Sequence, residues 1–224
     1  MGPVFGDLLP LALGVAVSPI PIIAVILMLL APKAGGTSTG FLVGWLVGIV
    51  GATTVFLLLA GVSDLGSSTE PSAAASWVKL GLGVLLLLVA ARQWQGRPEP
   101  GAEPALPKWM TAIDQFTAVK AAGLGLLLSA VNPKNLLMCV AAGTTIAAGG
   151  LSGGQDVWSV VFFTVIAAST IAVPVLGYAV GRKRMAGPLE SLRGWLTVHN
   201  GAVMATLLLV IGVVLIGKGL GGLL

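Results

Sequence analysis

The chain has 224 residues, of which 56% are hydrophobic and only 9% are charged, and its mean hydropathy is +1.02. Because a soluble domain carries about 25% charged residues, this composition excludes a soluble protein of this length. The formal net charge is +4. The basic residues lie beside apolar segments and form no polar basic face, which argues against nucleic-acid binding. We therefore expect a protein that spans a membrane several times.

Six segments are long enough to cross the hydrocarbon core of a bilayer, which takes about 20 apolar residues. In chain order they are Leu8–Leu30, Gly40–Gly61, Ser76–Arg92, Ala121–Ala148, Val157–Val180 and Gly201–Leu220. No Lys or Arg precedes the first segment and no small-residue cleavage site follows it, so we expect this span to remain in the mature protein. The sequence predicts an all-α integral membrane protein with six transmembrane helices.

Lys and Arg are distributed unequally between the two sets of connections. The connections after the first, third and fifth spans hold Lys33, Arg92, Arg97, Lys108, Lys120, Arg182, Lys183, Arg184 and Arg193. The opposite set holds only Lys79 and Lys218, together with the acidic residues Asp7, Asp64, Glu70 and Asp156. Cytoplasmic loops are enriched in Lys and Arg. We therefore expect the basic connections to be cytoplasmic and both termini to lie outside.

Residues 93–120 are predicted to be a cytoplasmic linker between a first transmembrane repeat, residues 1–92, and a second, residues 121–224. After a proline-rich stretch, Trp109, Ile113 and Phe116 recur at helical spacing, which predicts an amphipathic helix at the membrane surface. The connection after the fifth span is similar, with Leu189, Leu192 and Trp195 or Leu196 after three basic residues. Its arginines either enforce topology or bind lipid headgroups.

Short matches between the two halves indicate an internal repeat. The segment from Ala16 to Pro19 in the first span (AVSP) matches the segment from Ala130 to Pro133 in the fourth (AVNP). Further along, ATTV in the second span (residues 52–55) matches ASTI in the fifth (residues 168–171). Since each half has three spans, an odd number, the halves must have opposite orientations. The prediction is two inverted three-helix repeats related by an in-plane pseudo-twofold axis.

Proline interrupts the first and fourth spans at corresponding positions. One interruption comprises Ser18, Pro19, Ile20 and Pro21, and the other comprises Asn132, Pro133, Lys134 and Asn135. In secondary transporters, broken helices expose half-helix ends near the bilayer midplane, where they hold ligands. Prolines alone could serve only to kink two helices for packing. Packing does not require a lysine and two amides beside them, and a lysine at this depth is costly to insert.

Lys134 has no carboxylate at its predicted depth. Its predicted partners are carbonyls freed by the prolines, nearby hydroxyl groups or an anionic group of a substrate. A neutral amine, favoured by desolvation, could instead accept a proton during coupled transport. The candidate substrate-binding residues are Ser18, Pro19, Pro21, Thr53, Thr54, Asn132, Pro133, Lys134, Asn135, Ser169 and Thr170.

Other sequence features point to packing and not to chemistry. Gly40, Gly44 and Gly48 repeat every four residues, which predicts a small-residue face where helices approach closely. Cys139, the single cysteine, lies in an apolar run and is predicted to pack between helices. His199 has no evident catalytic partner, and no carboxylate pair or cluster of metal ligands occurs. We therefore expect no enzymatic activity, no metal site and no cofactor.

The paired proline motifs, the three-plus-three organisation and the Asn-Pro-Lys sequence resemble the lysine-exporter (LysE) superfamily. The segment from Ser18 to Pro21 (SPIP), the segment Ala31-Pro32-Lys33 and the segment from Asn132 to Asn135 (NPKN) resemble in particular its actinobacterial glycolipid-addressing (GAP/Sap) group. This resemblance implies that the protein helps to move glycolipids across or out of the bacterial inner membrane. It also implies that the two proline motifs and Lys134 line the pathway.

Three functions remain open at the level of the sequence. The first is a transporter or translocation accessory for a glycolipid or another anionic amphiphile. The second is a proton-coupled exporter of amino acids or similar small metabolites, whose carboxylate could also bind Lys134. The third is an assembly subunit of a larger lipid exporter that transports nothing alone. The expected partners are membrane lipids, a glycolipid or a small anionic or zwitterionic substrate, and a larger exporter, with a homodimer also possible.

Overall fold

A computed structural model describes residues 2–62, 73–96, 108–152 and 154–223. Within these ranges the chain is helical and contains no strand. The elements are α1 (Gly2–Ala16), α2 (Pro19–Leu30), α3 (Ala34–Val62), α4 (Ala73–Gln95), a 3-10 helix (Lys108–Gln115), α5 (Ala118–Leu126), a π-helical turn (Leu127–Val131), α6 (Pro133–Ala148) and α7 (Gly154–Gly221). The predicted all-α class is confirmed for the described residues.

Four long helical segments and two bent helix pairs are apolar enough to cross a membrane. Gly181 is non-helical and divides α7 into a first arm (Gly154–Arg182) and a second arm (Arg184–Gly221). These arms, with α3 and α4, make four candidate spans, and the number rises to six if each bent pair crosses once. The chain is thus a multi-pass membrane protein. The exact count of six and the inverted repeat stay predictions.

Both bent pairs break where the sequence places proline. The α1–α2 pair bends by 54° at Val17 and Ser18, and the pair formed by α5 and α6 bends by 62° at Asn132. The α-helical conformation is disfavoured for a residue before proline. Accordingly Ser18 has ψ 98° and Asn132 has ψ 120°. Proline therefore accounts for the backbone conformation at these two breaks, although Pro10, Pro174 and Pro188 lie within helices that continue through them.

The glycine face of α3 packs directly against α5. A Cβ atom on Gly40 would collide with the carbonyl of Ala118, and one on Gly44 would collide with the carbonyl of Ala122. A Cβ atom on Gly48 would collide with the side chain of Ser129, in the π-helical turn that follows α5. The predicted role of this stripe in close helix packing is confirmed. It brings α3 against α5, the first helix of the second bent pair.

The two ends of the described chain lie at the same end of the helix bundle. Lys218, near the end of α7, forms an ion pair with Asp7 in α1. A Cβ atom on Gly149, just after α6, would lie 2.7 Å from a methyl group of Val4. This end of the bundle, which we call the terminal end, therefore holds the start of α1, the end of α6 and the end of α7.

The described part of the linker differs in detail from an α-helix lying at the membrane surface. Residues Lys108–Gln115 form a 3-10 helix that packs against α2, and its Met110 and Ile113 are buried. The rest of the linker from Arg97 to Pro107, and the acidic residues Asp64 and Glu70, lie outside the described residues. The predicted domain boundaries stay predictions.

The second basic connection is continuous with the second arm of α7. Leu189 and Leu196 are buried, whereas Leu192 and Trp195 are exposed. This connection is therefore amphipathic, with one side packed against the bundle and the other free to meet lipid or water.

Candidate functional site

The two helix breaks meet at the side chain of Lys134, which is only 6% exposed. Its ammonium group, Nζ, donates hydrogen bonds to the carbonyl oxygen of Gly14 and to Ser18 Oγ, both at 2.5 Å. In an unbroken helix Gly14 O would accept from the amide of Ser18. That amide donates instead to Ala16 O, so the break frees the carbonyl that Lys134 binds.

The side chain of Ser18 connects the two breaks. Its Oγ lies 2.7 Å from Val15 O and 3.2 Å from Asn135 Oδ1, and it accepts from Lys134. Val15 O lacks a helical donor because Pro19 has no N–H. Since a hydroxyl group carries one proton, Ser18 donates to only one of these two acceptors at a time.

Asn135 satisfies the second break in the same way. The amide of Asn132 donates to Leu127 O, in the π-helical pattern, which leaves Leu128 O without its α-helical donor. Asn135 Nδ2 donates to this carbonyl at 2.8 Å. Asn135 is fully buried, so its amide is held by Leu128 on one side and faces Ser18 on the other.

Two further predicted residues, Thr170 and Asn132, form hydrogen bonds at the ends of the broken helices. Thr170, in the first arm of α7, donates from Oγ1 to Ala16 O at 2.6 Å. Asn132 Oδ1 accepts from the backbone amide of Lys134 at 3.1 Å and so caps the N-terminus of α6. Lys134, Ser18, Asn135 and Thr170 therefore each satisfy a carbonyl at the end of a broken helix. We call these four residues the break network.

The remaining predicted site residues lie outside the break network. Thr53 is buried beside Cys139 and Gly143, further along α6. Ser169 donates to the carbonyl of Ile166 in its own helix at 2.7 Å, and Thr54 lines a groove on the side of the bundle. Of the three prolines, Pro19 and Pro21 are buried and Pro133 is exposed.

Among the described residues, Lys134 has no ion pair. The ion pairs in these ranges are Asp7 with Lys218 and Glu190 with Arg193, both away from the breaks. The ammonium group lies instead at the C-terminal end of α1, where the helix dipole favours a cation. A backbone carbonyl and a hydroxyl group therefore contact the buried amine of Lys134, and no carboxylate in the described ranges pairs with it.

Sequence reasoning did not identify a second feature, an open groove between α3 and the first arm of α7. Its volume is about 820 Å³, within the range of ligand pockets. Two helical stripes and the α6–α7 connection line it: Val50, Thr54, Leu57, Leu58 and Gly61 from α3; Asp156, Val157, Val160, Val161, Thr164 and Val165 from α7; and Ala147, Gly150 and Leu151. We call this feature the lateral groove. Lys134 is not among its lining residues.

The comparison with known protein families covers both features. A family described as Sap, sulfolipid-1-addressing protein (SfLAP), matches residues 8–221, a range that includes both helix breaks, Lys134 and the lateral groove. No curated protein and no solved structure matches the chain. The chain therefore belongs to the sulfolipid-1-addressing protein family.

Proposed function

We propose that this protein moves an anionic glycolipid, such as a sulfated one, across or out of the membrane, alone or as part of a larger exporter. Lys134 is the cation that receives the anionic group. The observation that carries this proposal is a buried ammonium group that has no carboxylate partner in the described chain. The family's name supports a sulfolipid as the class of cargo.

The proposed mechanism is an exchange of hydrogen-bond partners at Lys134. In the described structure, the ammonium group of Lys134 donates hydrogen bonds to Gly14 O and Ser18 Oγ. A hinge motion at the 54° and 62° breaks would separate α1 from α6 and expose Lys134. A sulfate or other anionic group would then replace the neutral acceptors, because its charge adds Coulomb attraction to the hydrogen bond in a low-dielectric site. Return of Gly14 and Ser18 would release the cargo on the other side.

The enclosed position of Lys134 favours a second candidate, a proton-coupled exporter of a small metabolite. The lateral groove does not include Lys134, whereas a lipid cargo needs a path from the bilayer to that residue. A small zwitterion could reach the breaks through a narrower opening and place its carboxylate on Lys134. The wider relationship to the lysine-exporter superfamily, which the proline motifs predict, fits this candidate equally well.

The completeness of the break network supports a third candidate, a subunit that only assembles with a larger exporter. All four side chains have partners within the chain. Such a network stabilises the described arrangement without any cargo. In that case Lys134 would have a structural role, and its removal would affect folding and export together.

Transport by Lys134 variants separates the three candidates. Lys134→Ala should insert at least as well as the wild type, because it removes an intramembrane charge that costs about 2.5–3.5 kcal/mol on insertion scales. It should nevertheless abolish export of a sulfated glycolipid. Lys134→Arg should restore little, since a planar guanidinium group does not fit a site built for a compact ammonium group. Lys120→Ala, at an exposed position in α5, is the matched control.

Export is measured in cells and in proteoliposomes, together with expression and melting temperature. Loss of export by a folded Lys134→Ala protein in both systems supports the proposal. Loss of amino-acid export with normal lipid export supports the second candidate. Full export of every cargo by Lys134→Ala would overturn a role for this residue in transport.

A further inference from the structure

We propose that the lateral groove is a binding site for one acylated sugar, with the sugar hydroxyls at Asp156, the ester carbonyl at Thr164 and the acyl chain along the valines of α7. This inference rests on the proposed function only in that the protein handles a lipid. The groove is separate from the break network, and its two ends bind different parts of the amphiphile.

The dimensions of the groove suit a chain from one leaflet. Gly61 and Asp156 lie at one end, near the end of α3 and the start of α7, and Val50 and Val165 lie at the other. At 1.5 Å per residue, the stripe on α7 from Asp156 to Val165 is about 14 Å long. The hydrocarbon core is about 30 Å thick, so the groove covers about half of it.

The walls of the groove are mostly apolar and continuous. On α7, Val157, Val161 and Val165 recur every four residues, and all three are exposed. The groove is open along its side, so that an acyl chain can enter from the bilayer without unfolding a helix. Because the Gly150 and Leu151 connection follows α6, the groove opens at the terminal end of the bundle.

Besides Thr54, two polar groups distinguish the groove from an ordinary lipid-facing surface. Asp156 stands at its mouth, and among the described residues it has no ion-pair partner. Deeper in, Thr164 is 6% exposed, and its Oγ1 has no hydrogen-bond partner in the described chain. Acyl chains alone offer such a hydroxyl group nothing, whereas an ester carbonyl offers an acceptor.

The charge at the mouth selects the kind of headgroup. A carboxylate repels a sulfate or phosphate, but it accepts hydrogen bonds from hydroxyl groups. The part of the amphiphile at Asp156 should therefore be the sugar and not the anionic group. Lys134 lies 14 residues before the end of α6, about 21 Å from the mouth of the groove. The anionic group of a sulfated glycolipid would therefore reach Lys134 only after its sugar has left Asp156 and the helix breaks have opened.

Photo-crosslinking with a defined lipid tests this proposal. The probe is a glucose ester of a fatty acid that carries a diazirine in its chain, added to the full-length protein in phosphatidylcholine nanodiscs. A phosphocholine lipid with the same chain is the comparison. Labelled peptides are identified by mass spectrometry. We expect the glucose ester to label the residues of the lateral groove several-fold more than the phosphocholine lipid does.

Three variants probe the parts of the groove. Val157→Trp fills the mouth, and Val173→Trp is its matched control, because Val157 and Val173 lie in the same arm and are both 64% exposed, but only Val157 lines the groove. Asp156→Asn and Thr164→Val remove one polar group each. Val157→Trp, Asp156→Asn and Thr164→Val should each lower labelling by the glucose ester several-fold, while Val173→Trp leaves it unchanged.

Equal labelling of Val157→Trp and Val173→Trp, or equal labelling by the two probes, would overturn the proposal, since the groove would then be ordinary lipid-facing surface. Lys134→Ala distinguishes this inference from the proposed function. If groove labelling is absent but Lys134→Ala still abolishes export, only the groove proposal fails. If groove labelling occurs but Lys134→Ala exports normally, only the role of Lys134 in transport fails.

Discussion

At the scale of single residues, each of the two proline breaks is matched by polar side chains that satisfy its carbonyl groups. Pro19 has no amide donor for Val15 O, and the nearby Ser18 hydroxyl lies at 2.7 Å from that carbonyl. Lys134 and Asn135 do the same for Gly14 O and Leu128 O. Lipid cannot hydrogen-bond an unpaired carbonyl. These side chains therefore stabilise the broken helices inside a membrane.

A carboxylate introduced beside Lys134 should act as an internal competitor for anionic cargo. Lys134 Nζ and Asn135 Oδ1 both contact the same Ser18 hydroxyl, so Asn135→Asp places a carboxylate next to the ammonium group. The new ion pair should compensate the lost hydrogen bond to Leu128 O and keep the protein folded. Export should fall sharply, because cargo must displace a fixed anion. Melting temperature and lipid export in proteoliposomes measure both effects.

Asn135→Ala is the control for this substitution, since it removes the amide without adding charge. It should lower stability by about 1–3 kcal/mol through the unsatisfied Leu128 carbonyl. If Asn135→Asp exports as well as the wild type, Lys134 does not bind an anionic group of the cargo.

The sequence predicted all four members of the break network, but it also predicted residues that lie outside the network. Ser18, Lys134 and Asn135 follow from the prolines beside them, because a proline removes a donor at a known position. Thr54 and Thr170 are repeat counterparts in the sequence, yet only Thr170 reaches a break, while Thr54 lines the lateral groove. A repeat match gives the position along a helix, but how the helix is rotated depends on packing with its neighbours, which no short motif encodes.

At the scale of helices, glycine determines which pairs come into direct backbone contact. The face of α3 that carries Gly44 packs on α5, and α4 packs on the second arm of α7, where a Cβ atom on Gly83 would lie 2.8 Å from Gly212 O. Burial of apolar side chains provides little force between helices that are already in lipid, so close packing of small residues becomes more important. These two contacts join α3 to α5 and α4 to the second arm of α7.

Gly44→Leu should separate α3 from α5, because any side chain at this position meets the carbonyl of Ala122. We expect a loss of stability of about 1–3 kcal/mol, the usual cost of overpacking, and a lower melting temperature in detergent. Val43→Leu, at the neighbouring exposed position, should melt like the wild type. Equal melting temperatures for the two variants would show that the helix contact tolerates a side chain there.

The 3-10 helix shows where helical periodicity fails as a guide. The spacing of Ile113 and Phe116 fits an amphipathic α-helix, but Met110 and Ile113, three residues apart, are the ones buried. A spacing of three is common to the α and 3-10 patterns, so a segment of this length does not distinguish them. Its packing against α2, and not a free position at the membrane surface, could not be read from the sequence because it depends on tertiary contacts.

At the scale of the whole molecule, each half of the chain packs against the broken helices of the other half. The second span, α3, packs against α5 and α6, and α7, which holds the corresponding fifth span in its first arm, packs against α1 and α2. Together with the direct contact of α1 with α6, these contacts bring the two breaks together at Lys134. The inverted repeat stays a prediction.

The orientation of the molecule in the membrane is the last prediction, and the terminal end of the bundle makes it testable. Ser152 lies in the connection after α6, at the terminal end, whereas Ser191 lies beside the basic residues Arg184 and Arg193 at the opposite end. Because Lys and Arg concentrate in cytoplasmic loops, Ser152→Cys should react with a membrane-impermeant maleimide in intact cells and Ser191→Cys only after permeabilisation. The native Cys139 is buried, so it should contribute little background, which the unmodified protein measures. If only Ser191→Cys reacted in intact cells, the orientation would be the opposite of the predicted one, and the mouth of the lateral groove would lie in the cytoplasmic leaflet.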